Sequence, residues 1–221
     1  MSAVHDLVDD PINFLNNNIV IVGFEAFGSK HISQPGGVEF LTLLTIDTSK
    51  VIGLQTGKKL PVYKLLPSKT RKNSFKSYWC PYQREDTLGI TVSNKADFMF
   101  SAEMNGCSFG VGSEGKGGSR LVYHSNMGSS APKGMQAETQ GQALKDKMGN
   151  SLQSIIAPKN YRIEAGQSYL SSTTFGVRNK KNGKWTFYAH VYEMREASYS
   201  NPPVILNPKK CFLRGVRKLV G

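Results

Sequence analysis

This chain is short of the residues that usually announce a chemistry from afar. Its 221 residues include three cysteines, Cys80, Cys107 and Cys211, an odd set with no C-x-x-C spacing. That argues against a disulfide framework and against a thiolate zinc site. Histidines number four, and no His/Asp/Glu spacing suggests a metal. Glycine-rich stretches exist, but none ends in the Lys-Ser/Thr of a nucleotide phosphate cradle. No apolar run reaches the length of a membrane-spanning helix. Residues 1–10 are acidic and contain no apolar core, so no secretory signal is expected, and any export would follow a non-classical route.

Acidic residues are also few, 16 against 28 lysines and arginines. Two basic clusters stand out: Lys64, Lys69, Arg71, Lys72 and Lys76, then Lys209, Lys210, Arg214, Arg217 and Lys218. Surfaces of this kind attract nucleic acid, anionic membrane or an acidic protein, and they also simply keep a protein in solution. Without a zinc knuckle or a ribonucleoprotein-type aromatic signature, nucleic acid is the weaker expectation.

What the chain has in quantity is a period of two, the mark of strands. Residues 18–24 are a compact apolar run, and 38–47 alternate. Further strands are expected at 51–54, 60–66, 88–93, 96–104, 119–125 and 173–178. The clearest is 184–194, with Trp185, Phe187, Ala189 and Val191 on one face and Thr186, Tyr188, His190 and Tyr192 on the other. The Asn182-Gly183 turn before it predicts an antiparallel hairpin with 173–178. Helices are expected only at 136–148 and, with Pro11 near its beginning, at 6–16. No repeat or long linker divides the chain. The expectation is one β-rich α+β domain over 1–221, with two sheets packed face to face and few helices.

One pair of residues carries chemistry. Cys107 follows Met104-Asn105-Gly106, and His124 follows Leu121-Val122-Tyr123, with a glycine-rich stretch from Gly110 to Gly118 between them. A nucleophilic cysteine needs a base to form thiolate, and histidine is the usual one. Two strand ends joined by a short connection can bring such residues side by side. Gly106 allows a tight backbone, which suits a nucleophile whose own N–H points at a substrate oxygen. Phe98, Phe100, Ala102 and Met104 are expected on one face of their strand, with Ser101 on the other. Against this stands the plain reading of Cys107 as a structural thiol and of His124 as a satisfied or exposed histidine.

The segment 97–124 resembles the active-site region of the cysteine–histidine glutamine deamidases. These include the catalytic domain of the cytotoxic necrotizing factors, the Burkholderia lethal factor and, more distantly, the chemotaxis receptor deamidases. There a hydrophobic strand, here Asp97-Phe98-Met99-Phe100, runs into a Leu-Ser-Gly-Cys motif, here Met104-Asn105-Gly106-Cys107, and His124 lies on the next strand. Asn105 and Met104 depart from the motif. Ser101, six positions before Cys107, stands where some members carry a threonine that completes the site.

The resemblance covers less than a fifth of the chain. It implies a β-sandwich fold and protein-glutamine deamidation through Cys107, His124 and Ser101, without cofactor or metal. It also implies a toxin or effector acting in the host cytosol, with Rho-type GTPases or a translation-initiation helicase as family precedents. In that reading the basic clusters dock an acidic target surface. Two other readings compete: a non-catalytic basic binding module, and a cysteine peptidase or transglutaminase with the same dyad.

Overall fold

The computed structural model describes residues 2–22, 37–46, 51–55, 57–161, 170–195 and 209–221. His31 lies outside these residues. The chain opens with two short helices, α1 (Ala3–Asp9) and α2 (Pro11–Asn17), where one is expected. Asp10 explains the division. Its carboxylate accepts the Asn13 N–H at 3.0 Å, and Pro11 fits the first turn of a new helix, where no amide partner is needed.

Strands follow: β1 (Ile19–Ile21), β2 (Val38–Thr45), β3 (Val51–Gln55), β4 (Lys58–Leu60), β5 (Val62–Pro67), β6 (Phe75–Cys80), β7 (Asp86–Val92) and β8 (Phe98–Ser101). Then come β9 (Ser108–Glu114), β10 (Arg120–Asn126), helix α3 (Gln136–Met148), β11 (Leu152–Ile156), helix α4 (Pro158–Tyr161), β12 (Leu170–Arg178), β13 (Trp185–Arg195) and β14 (Lys209–Val220). Among the described residues no helix is long and apolar enough to cross a membrane.

The strands form a ten-stranded sheet, ordered β1-β5-β2-β6-β8-β12-β13-β14-β3-β4, and a four-stranded sheet, β11-β9-β10-β7. The β-rich character with few helices is as expected. The larger sheet, however, curls into a nearly closed, barrel-like form, not the flat layer of a plain two-sheet sandwich. Right-handed twist accumulating over so many strands favours such curling.

The smaller sheet packs on one face of the larger through a shared cluster. Met99, Trp185, Phe187, Ala189 and Val191 meet Ile90, Phe109, Val111, Val122 and Ile156 there. On the opposite face, α1 and α2 bring Leu7, Phe14 and Leu15 against Leu41, Phe75, Phe98, Phe100 and Phe175. β8 is therefore covered on both faces, and all four of its residues are buried. The alternation of strand side chains sends Phe98 and Phe100 one way, and Met99 and Ser101 the other. Met104 does not continue the Phe98–Phe100 face. The chain leaves β8 after Ser101, Met104 pairs with Ser172, and the Met104 side chain joins the inter-sheet cluster.

Several strands were hidden in the sequence. β9 occupies much of the glycine-rich stretch read as a loop. A Cβ on Gly110 would lie 2.7 Å from Met148 Sδ and 2.9 Å from a Leu144 methyl, so this glycine admits α3 onto the sheet. β14 reads as a basic cluster, yet it pairs with β13 and β3. The run 60–66 divides at Pro61 into β4 and β5.

Candidate functional site

His124 stands on β10, where the antiparallel ladder pairs it with Phe109 and pairs Ser125 with Ser108 of β9. Cys107 immediately precedes β9. Cys107 thus sits one residue before the Ser108–Ser125 pair and two before Phe109, the ladder partner of His124. Across the sheet interface, Ser101 of β8 closes on the imidazole, with Oγ 2.6 Å from Nδ1. Ser101, Cys107 and His124 are all buried.

The His124 ring is 1 % exposed, and burial lowers its pKa to about 3, so the imidazole is neutral at physiological pH. Its Nε2 makes no hydrogen bond to any described residue, Cys107 included. A buried ring nitrogen left unpaired costs roughly 1–3 kcal/mol, a cost that functional sites tolerate. Catalytic hydrogen bonds are commonly long in unliganded enzymes and tighten when substrate arrives.

The Cys107 turn is held by two buried side chains. Tyr161 of α4 receives the Gly106 N–H at 2.9 Å and donates its own hydroxyl proton to the Cys107 carbonyl at 2.8 Å. Gln140 of α3 donates to the Gly106 carbonyl at 3.1 Å and accepts from the Ser108 hydroxyl at 2.7 Å. Gly106 has φ +104°, a conformation that a residue with a Cβ rarely adopts. The backbone that presents the thiol is thus fixed by buried side chains.

Tyr82, on the segment after β6, completes the cluster. Its ring meets the His124 ring edge-on, with centroids 5.0 Å apart. Its Oη accepts a hydrogen bond from Asn126 Nδ2 at 2.6 Å. Tyr82 is half-buried, unlike the residues beneath it. Burial raises its phenol pKa, and the negative charge that Cys107 can carry raises it further.

Tyr82, Gln140 and Tyr161 were missed in the sequence reading. Gln140 had a signal: it shares the stripe of α3 with Leu144 and Met148, so a polar side chain falls on a buried face. Tyr82 and Tyr161 had none, because their contacts span distant segments.

The other cysteines and histidines are placed differently. Cys80 pairs in register with Ser101 and is fully buried, which pushes its thiol pKa well up, although the His124 backbone N–H partly opposes this. Cys211 is buried beside Ile19, Val62 and Tyr192. His5 is exposed on α1. His190 is buried at 1 % exposure and accepts the Val20 N–H at Nε2, 3.1 Å away.

Of the basic residues, Arg214 is joined to buried Glu193, Arg217 donates to the Asn160 carbonyl at 3.3 Å, and Arg71 and Lys76 flank the Phe40 ring at 5.4 and 5.9 Å. Part of the positive charge is therefore engaged within the fold. No family model matches the sequence, and no curated protein matches it either.

Proposed function

We propose that the protein is a cysteine-dependent glutamine deamidase acting on a protein substrate, with Cys107 as nucleophile, His124 as base and Ser101 as the residue that orients the base. One observation carries the reading: a neutral, buried imidazole held at Nδ1 by Ser101, with Nε2 unpaired, on the strand that pairs with the segment following Cys107. The role requires the tautomer in which Nδ1–H donates to Ser101 Oγ, leaving the Nε2 lone pair as the base.

In this scheme His124 Nε2 takes the Cys107 thiol proton as sulfur attacks the carboxamide carbon. The tetrahedral oxyanion is held by N–H donors, that of Cys107 among them. The C–N bond then breaks, and ammonia leaves with the proton from His124. Water, deprotonated by the same nitrogen, attacks the thioester, and the products are glutamate and the free thiol. A fold of the necrotizing-factor deamidase kind belongs to the same proposal. So does the role of a bacterial toxin or effector in a host cytosol, with a GTPase or translation-initiation helicase as target.

The test is mass spectrometry of cytosolic proteins incubated with the purified protein. Deamidation adds about one dalton at a glutamine, from NH₂ replaced by OH, without cutting the chain or joining an amine. The gain should vanish with Cys107→Ser. Cleaved chains would instead indicate a peptidase, and amine incorporation a transglutaminase. No Cys107-dependent change of any kind would leave the basic binding module as the better reading.

A further inference from the structure

The reading above uses Cys107, His124 and Ser101 and gives no role to Tyr82, although Tyr82 touches the same centre. Its ring lies edge-on to His124 at 5.0 Å. Its hydroxyl oxygen accepts from Asn126 at 2.6 Å, and Asn126 follows Ser125, which the β9–β10 ladder pairs with Ser108, the neighbour of Cys107. The tyrosine also packs against the inter-sheet cluster that contains Cys107. Its hydroxyl is therefore held at the Cys107 end of the β9–β10 hairpin by a fixed donor.

Resting on the deamidase reading, we propose that Tyr82 is a fourth catalytic residue, whose hydroxyl donates a hydrogen bond to the negative charge that forms on Cys107 sulfur. Three physical points support the role. A phenol that accepts a hydrogen bond becomes a better donor through cooperative polarisation, and Asn126 supplies that bond. Hydrogen bonds from an O–H to an anion are among the stronger ones in proteins, more so where water is excluded. Burial and the nearby sulfur charge both raise the phenol's pKa, so it keeps its proton and remains a donor across the physiological range. A neutral His124 makes such help necessary. With no imidazolium at rest to pair with the thiolate, another group must stabilise the sulfur's charge as its proton leaves.

The experiment needs no knowledge of the substrate. Cys107 is alkylated with iodoacetamide over pH 5–10, and peptide mass spectrometry reads its rate beside those of Cys80 and Cys211. Tyr82→Phe keeps the ring against His124 and removes only the hydroxyl. The Cys107 curve should move to higher pH by about one unit, so that the rate at neutral pH falls roughly tenfold. Thermal melting should stay unchanged. Asn126→Ala should shift the curve the same way by a smaller amount.

If Cys107 in the wild type reacts no faster than Cys80 and Cys211, the nucleophile reading itself fails. If the wild type is fast and Tyr82→Phe follows the same curve, the nucleophile stands and the role of Tyr82 is overturned. Faster alkylation in Tyr82→Phe would also overturn it, since the hydroxyl would then be a latch holding the site closed.

Discussion

His124 and His190 are near-twins in electrostatics and differ in how each ring is held. Each is 1 % exposed, each has a pKa lowered to about 3 by burial, and each has one ring nitrogen without a partner. Burial and an unpaired nitrogen therefore do not mark a site by themselves. The difference lies in which nitrogen is fixed, and by what. His190 accepts a backbone N–H at Nε2, so its neutral ring must carry its proton on Nδ1 and offers no base. His124 meets a hydroxyl at Nδ1, which can accept the Nδ1–H hydrogen bond and leave the Nε2 lone pair free. A tyrosine ring lies beside each, Tyr82 at 5.0 Å from His124 and Tyr192 at 5.4 Å from His190, so the neighbouring ring does not tell them apart. The same ring is a base at one address and a strut at the other.

The sharpest way to break this contrast is to remove the nucleophile. Cys107→Ser should abolish the Cys107-dependent mass change in target proteins and leave the melting temperature nearly unchanged, because a hydroxyl is a far weaker nucleophile of similar size. Residual activity, or an unfolded variant, would defeat the assignment.

The paired histidine substitutions come next. His124→Ala should lower activity roughly 100- to 10,000-fold, the usual range for a lost general base. His190→Ala should keep its activity per folded molecule. It should cost on the order of 3 kcal/mol of stability, since it opens a cavity and leaves the Val20 N–H unpaired. Chemical denaturation and activity assays on both variants would read the two effects, and a reversed pattern would exchange the roles of the two residues.

Ser101 should matter less than the dyad. An orienting hydrogen bond is worth about 1 kcal/mol, so Ser101→Ala should lose several-fold to tenfold in rate. Ser101→Thr restores a hydroxyl and should run close to wild type, provided its extra methyl fits the buried site. A wild-type rate for the alanine variant would remove Ser101 from the site.

A separate effect is on acid stability. Above pH 6.5 both histidines are neutral folded and unfolded. Between 6.5 and about 3 only the unfolded chain takes up their protons, so stability falls as pH drops. Each contributes a slope of at most about 1.4 kcal/mol per pH unit. The range above pH 4.5 isolates them from Glu85, whose pKa is lowered from 4.5 to about 2 by hydrogen bonds from Ser129 and Ser130. Denaturant titrations at pH 6.5 and 5 should show His190→Gln with about half the wild-type slope.

What the sequence disclosed follows a physical division. Period-two alternation located β13 and its hairpin partner because each has one clearly apolar face. Helix α3 was legible from end to end, since Gly149 stops it and apolar residues recur at helical spacing. β9 and β14 escaped because their pairing satisfies the backbone, while glycines and cations disguise the side-chain pattern. At the site, the pleat separates Ser101 from Phe98 and Phe100, and the resemblance points to His124. The clamps on Cys107 could not be read, because Gln140 and Tyr161 reach it across 34 and 55 residues of chain from Gly106.

The double burial of β8 has a consequence for how the molecule opens. Ser101 belongs to the innermost strand of the larger sheet, with a hydrophobic cluster on either side. Amides in such a strand exchange with solvent mainly through global unfolding, not through local fraying. The amides of Met99 to Ser101 should rank among the slowest to take up deuterium. The excess reactivity of Cys107 over Cys80 and Cys211 should then persist to the edge of the melting transition and vanish with it in one cooperative step.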